Sequence, residues 1–176
     1  MQGWLQSLHL FGPARQEKEY KMEHLRELYA FLTRNLVVTE ANRAAVVETV
    51  REISEYMIYG DQNDAKMFDF FLEHNPMTCL QRILEQPANR HGEMAKQVLQ
   101  TLGIIFQNVR SQQGIYYLFS NNHINAIIDL DYGLDDDEVL ALYVTLLKNI
   151  SLKLNASTVQ FFFDTSGKRR QQQQQS

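Results

Sequence analysis

Apolar residues between Glu93 and Leu130 follow a helical pattern that stops and then resumes. From Glu93 to Val109 they recur at three- and four-residue spacing, which predicts one amphipathic helix. A short aromatic run follows at residues 115–119, and a second apolar segment extends from Ile124 to Leu130. The pattern therefore predicts a unit of one long helix followed by two shorter apolar segments.

Copies of this unit lie on both sides of it. An offset of 44 residues relates Leu99, Leu102 and Phe106 to Tyr143, Leu146 and Ile150, and Tyr117, Leu118 and Phe119 to Phe161, Phe162 and Phe163. An offset of 47 in the other direction relates Tyr117, Leu118, Phe119, Asn122 and Ile127 to Phe70, Phe71, Leu72, Asn75 and Leu80. A helical period of this length is typical of armadillo and HEAT repeats. We therefore predict an all-α protein, an armadillo/HEAT-like α-solenoid of about three repeats with the last one incomplete.

Capping residues predict the helices that precede the central unit. We expect a helix over residues 22–36, then a longer one that Thr39 caps and that ends near Tyr59. Gly60 then provides the left-handed residue that closes this helix. Asp64 is placed to cap a short helix from Ala65 to His74. A further helix begins at Pro76 and continues to Gln86, and residues 87–92 form a polar linker.

The last predicted helix is apolar on almost every side. It begins at Val139 and continues to Leu154, after the acidic run Asp135–Glu138. A metal or general-acid cluster is one reading of that run, but capping and interaction with the helix dipole explain it more simply. A helix that is apolar all round belongs between two neighbours. The sequence provides only one, so we expect the chain to be the front end of a longer solenoid, cut short, with exposed apolar surface near residues 140–163.

The outer segments complete the predicted domain organisation: an N-terminal extension over residues 1–20, the helical-repeat domain over 21–163, and a disordered polar tail over 164–176. The tail ends in five glutamines and is too polar to pack. Trp4, Leu5 and Leu8 form either a cap on the first helix pair or a short amphipathic membrane anchor. We favour the cap, because the segment lacks basic residues on its polar side.

Composition excludes several classes of function. The net charge of −4 and the pI near 5.7 argue against nucleic-acid binding, which needs a basic face. One cysteine, Cys79, cannot form an internal disulfide, and we expect it to be buried rather than reactive. The chain carries neither a membrane-spanning run nor a signal-peptide pattern, which predicts a cytoplasmic protein.

No catalytic or metal-binding motif is apparent. The histidines share no helix face and pair with no cysteine, and Walker, dinucleotide-binding and nucleophile-elbow motifs are absent. Asp61 and Asn63 begin a pattern like a calcium loop, but Lys66 and Leu72 stand where the loop needs glycine and glutamate. We therefore predict no catalytic residue, no cofactor, no metal and no small-molecule substrate.

Three segments together resemble a known family. Residues 59–75 (YGDQNDAKMFDFFLEHN), 116–125 (YYLFSNNHIN) and 147–155 (LKNISLKLN) closely resemble the FPL domain family. That domain forms the N-terminal part of C-type lectin domain family 16 member A and of Ema-like endosomal trafficking and autophagy proteins. The resemblance covers about residues 22–163, after which Asp164-Thr-Ser-Gly-Lys replaces the element that names the family. The positions that carry the signature are Gly60, Asp61, Asn63, Asp64, Phe70, Phe71, Asn121, Asn122, Leu152, Leu154 and Asn155.

The resemblance implies a non-catalytic scaffold in endosomal–lysosomal (vacuolar) membrane trafficking and in autophagy, including mitophagy. It implies protein partners from the tethering or ubiquitin machinery and peripheral association with endosomal, lysosomal or Golgi membranes. It implies no catalytic residue, so we expect the signature positions to be structural. Two alternatives stay open from the sequence: a component of a ubiquitin-ligase assembly, and a truncated, non-functional fragment.

Overall fold

The computed structural model describes residues 19–162, and this part of the chain is all-helical, with no β-strand. Its α-helices are α1 (Met22–Arg34), α2 (Arg43–Asn63), α3 (Ala65–His74), α4 (Met77–Glu85), α5 (Glu93–Asn108), α6 (Gln112–Phe119), α7 (His123–Ile128) and α8 (Asp137–Ser151). Short 3₁₀ turns at Pro87–Asn89 and Ser120–Asn122 connect α4 to α5 and α6 to α7. Residues 1–18 of the predicted N-terminal extension, the polar tail and Phe163 lie outside the described residues.

The long helices α2, α5 and α8 lie side by side, with α5 in the middle. α5 packs against both neighbours, and α1 and α3 pack against α2. α5 is accordingly buried over most of its circumference, and Val98, Leu99 and Leu102 have no exposed surface. The shorter helices α4 and α7 pack on each other, and α4 also contacts α5. The core is thus continuous along the row of helices.

Within residues 19–162, α8 is covered on one side only, as its sequence predicts. Val139, Leu146 and Ile150 are buried. Leu140 is 38% exposed and Val144 54% exposed. The predicted cap is confirmed, because Asp136 accepts hydrogen bonds from the first backbone N–H groups of α8. Asp136 also forms an ion pair with Lys96 of α5, 3.1 Å away.

Most predicted helix ends and core residues are confirmed. α3 has the predicted bounds, and α1 and α5 end within two residues of the predicted positions. The aromatic clusters lie in the core, where Phe71 has no exposed surface and Phe119 only 3%. Cys79 is buried as a small apolar residue, and burial raises the pKa of its thiol above the ordinary value.

The prediction that Thr39 caps α2 is wrong. Residues 40–42 form a turn, and α2 begins four residues later at Arg43. The side chain of Asn42 accepts a hydrogen bond from the backbone N–H of Thr39 at 2.7 Å, so it stabilises the turn rather than the helix. A polar side chain that can form either a turn or a cap makes this boundary ambiguous in the sequence.

The prediction that Gly60 closes α2 in a left-handed conformation is also wrong. Gly60 is buried inside α2, which continues to Asn63. A Cβ atom at Gly60 would lie 3.0 Å from the backbone nitrogen of Phe68 in α3. The glycine is needed for close packing of two helices, not for a turn.

Gly60 and Gly103, two of the buried helical glycines, give opposite predictions. Gly60→Ala should destabilise the protein by about 1–3 kcal/mol, because the backbone of Phe68 cannot move away from the added methyl group without disturbing α3. At Gly103 the nearest atom to an added Cβ is the side-chain nitrogen of Asn149, at an ordinary 3.7 Å. Gly103→Ala should therefore be neutral or stabilising by up to about 1 kcal/mol, because alanine favours the helix.

Urea unfolding of the two variants checks this prediction. Because each change adds one methyl group within a helix, Gly103→Ala serves as the matched control for Gly60→Ala. Equal effects of the two substitutions on the free energy of unfolding would contradict the close packing at Gly60.

Candidate functional site

The signature residues lead to a row of three turns, which we call the turn edge. It consists of residues 60–64, which are the last helical turn of α2 and its C-cap, and of residues 108–111 and 152–155, where α5 and α8 end and a shorter segment follows. The first and third turns hold seven of the eleven signature positions. The other four, Phe70 and Phe71 in the core and Asn121 and Asn122 at the start of α7, lie outside it.

The carboxylate of Asp61 connects the first turn to the second. It accepts hydrogen bonds from the backbone N–H of Arg110 at 2.7 Å and of Ser111 at 3.2 Å, and the Ser111 hydroxyl also donates to it. The neighbouring Gln62 donates from its side-chain nitrogen to the carbonyl oxygen of Asn108 at 2.9 Å. These bonds satisfy backbone groups that the end of α5 and the start of α6 leave without helical partners.

Lys153 connects the third turn to the second. Its Nζ donates to the carbonyl oxygen of Val109 at 2.8 Å. Burial, and to a smaller extent the nearby charge of Arg110, lower the pKa of Lys153, while Asp61 acts in the opposite direction. The second turn is therefore bonded from both sides, by the turn before it and by the turn after it.

Each turn also caps the segment that follows it. Asp64 accepts from two backbone N–H groups at 3.0 and 3.2 Å, Ser111 from one at 2.8 Å, and Asn155 from two at 2.8 and 3.0 Å. These caps are 47 and 44 residues apart, the same offsets that relate the apolar patterns. The three turns are therefore built on the same plan with different capping side chains.

A polar depression of about 240 Å³ lies beside the first turn. Its wall includes Asp61, Asn63, Asp64 and Gln113. Asp61 and Asp64 both accept backbone hydrogen bonds, and the side chain of Asn63 donates to the carbonyl oxygen of Tyr59. These side chains thus stabilise the turn itself. In the third turn, Leu152 is 72% exposed and Leu154 38% exposed.

A buried polar network lies among α3, α4, α6 and α7. His123 is 8% exposed; its Nδ1 lies 2.6 Å from Oε1 of Gln81 and its Nε2 2.9 Å from Nδ2 of Asn75. The hydroxyl of Tyr117 donates to Oδ1 of Asn75, and the amide of Gln81 donates to Glu85 at 2.7 Å. With the proton of the neutral imidazole on Nδ1, every member donates to the next, from Tyr117 to Glu85.

This network was not foreseen from the sequence. His123 is 48 residues from Asn75 and 42 from Gln81, so no local motif joins them. Burial lowers the pKa of His123 below its ordinary value of 6.5, and the charge of Glu85 opposes this change. Protonation at Nε2 would set an N–H group against the amide of Asn75, so the network favours neutral histidine.

No group of three or more His, Cys, Asp or Glu side chains within residues 19–162 lies close enough together to hold a metal ion. Of the helices described, none is long and apolar enough to cross a membrane.

Comparison with known proteins decides the family. A family model described as "FPL: Uncharacterised conserved protein" matches residues 50–175, which is more than half of the chain. The chain belongs to the FPL family. The resemblance seen in the signature residues of the sequence is thus confirmed.

The relatives of this FPL chain are much longer than the chain itself. It is 46% identical over 145 residues to Protein CLEC16A of Mus musculus and of Homo sapiens, which covers 82% of this chain and 14% of each relative. It is 41% identical over 155 residues to Protein CLEC16A homolog of Drosophila melanogaster, covering 87% of this chain and 14% of that relative. The chain thus spans about one seventh of their length. No solved structure matches the chain.

The first prediction for the turn edge concerns Asp61. We expect Asp61→Ala to lower the free energy of unfolding by about 2–3 kcal/mol, because it leaves the N–H groups of Arg110 and Ser111 without their charged acceptor. Asn63→Ala is the matched control in the same turn: Asn63 is exposed and bonds only within α2. It should cost less than about 0.5 kcal/mol. Urea unfolding of both variants measures these changes. Equal losses of the free energy of unfolding would contradict the role of Asp61.

The second prediction concerns pH. Because the folded-state pKa of His123 is lowered, the unfolded chain binds a proton first as pH falls below about 6.5. The neutral histidine therefore stabilises the protein above that pH, and this stabilisation is lost on acidification, by at most about 1.4 kcal/mol per pH unit. His123→Gln removes the titrating group and should reduce the decline between pH 7.5 and pH 5.5. An unchanged decline in the variant, measured by urea unfolding, would contradict the neutral state of His123.

Proposed function

We propose that this FPL chain is a non-catalytic scaffold in endosomal–lysosomal (vacuolar) membrane trafficking and autophagy, including mitophagy. The observation that supports this proposal is the set of hydrogen bonds that signature residues form. Asp61, Asp64 and Asn155 all accept hydrogen bonds from backbone N–H groups in turns or at the start of a helix, so these three signature residues maintain a shape. A protein whose characteristic residues maintain a shape is suited to binding other proteins rather than to turnover of a substrate.

We also propose that the helices stack as layers of an armadillo/HEAT-like solenoid. Long-range side-chain hydrogen bonds support this arrangement, since they join residues about one repeat apart, such as Gln62 to Asn108, 46 residues away, and Asn149 to Gly103, also 46 residues away. Residues 19–162 would then form about three layers, with the last one incomplete. Stacked layers give an extended surface, which repeat proteins use to bind partners.

The partners we propose are proteins of the tethering or ubiquitin machinery, met at the surface of endosomal, lysosomal or Golgi membranes. The support for this is the resemblance to Ema-like trafficking and autophagy proteins and the membership of the FPL family. The exposed rows of turns and helices, rather than a cleft, would provide the contacts. Association with the membrane would be peripheral.

Replacement of a segment in a relative tests this function. The 145-residue segment of the human relative that matches this chain is exchanged for the corresponding residues of this chain, and the chimera is expressed in human cells that lack the relative. If the segment has the proposed role, we expect the chimera to restore lysosomal degradation of autophagic cargo to at least about half of the level given by the human protein. Cargo degradation and co-sedimentation with endosomal membranes are the measurements.

Two controls make the result interpretable. The human protein with the segment deleted should not restore degradation, and the chimera with Gly103→Ala should behave like the chimera itself, because that position is buried and an added methyl group meets only an ordinary contact at 3.7 Å. A chimera that accumulates to the same level as the human protein but does not restore degradation would overturn the proposal.

A further inference from the structure

α5 and α8 lie side by side and point in the same direction. Near their N-terminal ends Lys96 donates to Glu138 at 2.7 Å, and further along both helices Asn149 donates to the carbonyl oxygen of Gly103 at 2.9 Å. At the C-terminal ends Lys153 reaches the carbonyl oxygen of Val109. The contact positions increase together along both helices, so the two helices are parallel.

These bonds define the face of α5 that receives α8. Lys96 and Gly103 are seven residues apart and therefore lie on the same side of the helix. The repeat offset of 44 residues takes these two positions to Leu140 and Leu147 of α8. The same side of α8 is thus the one on which a further layer would lie.

This side of α8 is apolar and only partly covered. Leu140 is 38% exposed, Leu147 is half-buried, and Val144, one turn from each of them, is 54% exposed. Leu154, beyond the end of the helix, is also 38% exposed. Several large apolar side chains exposed together on one side of a helix indicate a contact surface rather than a solvent face. We call Leu140, Val144 and Leu147 the outer face of α8.

We infer that the outer face of α8 is the docking surface for another long helix, which lies on α8 as α8 lies on α5. The occupant is the next helical layer of a longer FPL chain. This inference rests on the proposed stacking of layers. Two observations select the occupant. The repeat offset relates the face of α5 that contacts α8 to this face of α8, and the relatives are longer, since this chain spans only about one seventh of their length.

The chemistry of the new contact differs from that of the contact between α5 and α8. In that contact the side-chain nitrogen of Asn149 donates to the carbonyl oxygen of Gly103. Leu147 stands at the equivalent position of α8, and Leu140 stands where α5 has Lys96. The occupant should therefore present apolar side chains where α8 presents Asn149 and Glu138.

The test extends the chain and follows the exchange of α8. Residues 1–162 of this chain are continued by the roughly 90 residues, about two repeat lengths, that follow the matched segment in the mouse relative. Compared with the 176-residue chain, amide hydrogen exchange in α8 should slow by at least about tenfold, and the Tm should rise by about 5 °C or more. Both chains are also measured by light scattering over a range of concentrations.

A pair of variants separates docking from folding. Leu140→Lys places a charge on the outer face, and Ala141→Lys places the same charge on the adjacent exposed residue, which lies about 100° further around the helix. Both should leave the Tm of the 176-residue chain unchanged within about 2 °C, because both side chains are already exposed. In the extended chain, only Leu140→Lys should remove most of the increase in Tm and most of the protection of α8 from amide exchange.

The outcomes are distinct. The inference is supported if amide exchange in α8 slows in the extended chain and only Leu140→Lys removes this protection. Unchanged exchange of α8 in a folded extended chain, or equal effects of the two lysine variants, overturns it. If the 176-residue chain forms a dimer and only Leu140→Lys disrupts that dimer, the face belongs to a second copy of the chain, and the inference is also overturned. If the chimera in human cells restores cargo degradation while α8 stays unprotected, only this inference fails and the proposed function stands.

Discussion

The carboxylate of Asp61 accepts three hydrogen bonds, and the arrangement of the turns depends on them. A helix end leaves backbone groups without partners, and two helix ends meet where α5 is followed by α6. Asp61 supplies acceptors for them from the preceding turn, while Lys153 supplies a donor from the following one. The second turn is thus bonded to both of its neighbours, which links the ends of the three long helices to one another.

Local chemistry made much of the fold predictable. Asp64 and Asp136 were recognised as caps because a carboxylate directly before an apolar helical run has few other roles, and both cap as expected. The burial of Phe71 and Phe119 followed from their equivalent positions in the repeat. The uncovered side of α8 followed from a count of apolar positions around one helix. In each case the information lies within one or two turns of the residue concerned.

The errors and omissions concern interactions that the local sequence does not determine. Gly60 has the same sequence context as a helix-closing glycine, and only the approach of Phe68 shows that it permits packing instead. The partners of Asp61 and His123 lie 42 to 50 residues away, so the sequence identified Asp61 by resemblance alone and did not identify the network around His123. The repeat offset was the one available signal, since it brings residues of successive units together.

The spacing of these bonds has a consequence for the kinetics of folding. Helical proteins with mostly local contacts fold rapidly, because few long loops have to close before native contacts form. Here the bonds of Asp61 and His123 close segments of 42 to 50 residues, and each closure requires two helices to be present already. This FPL chain should accordingly reach its native state more slowly than a helical bundle of the same size, with its individual helices formed well before the turns that join them.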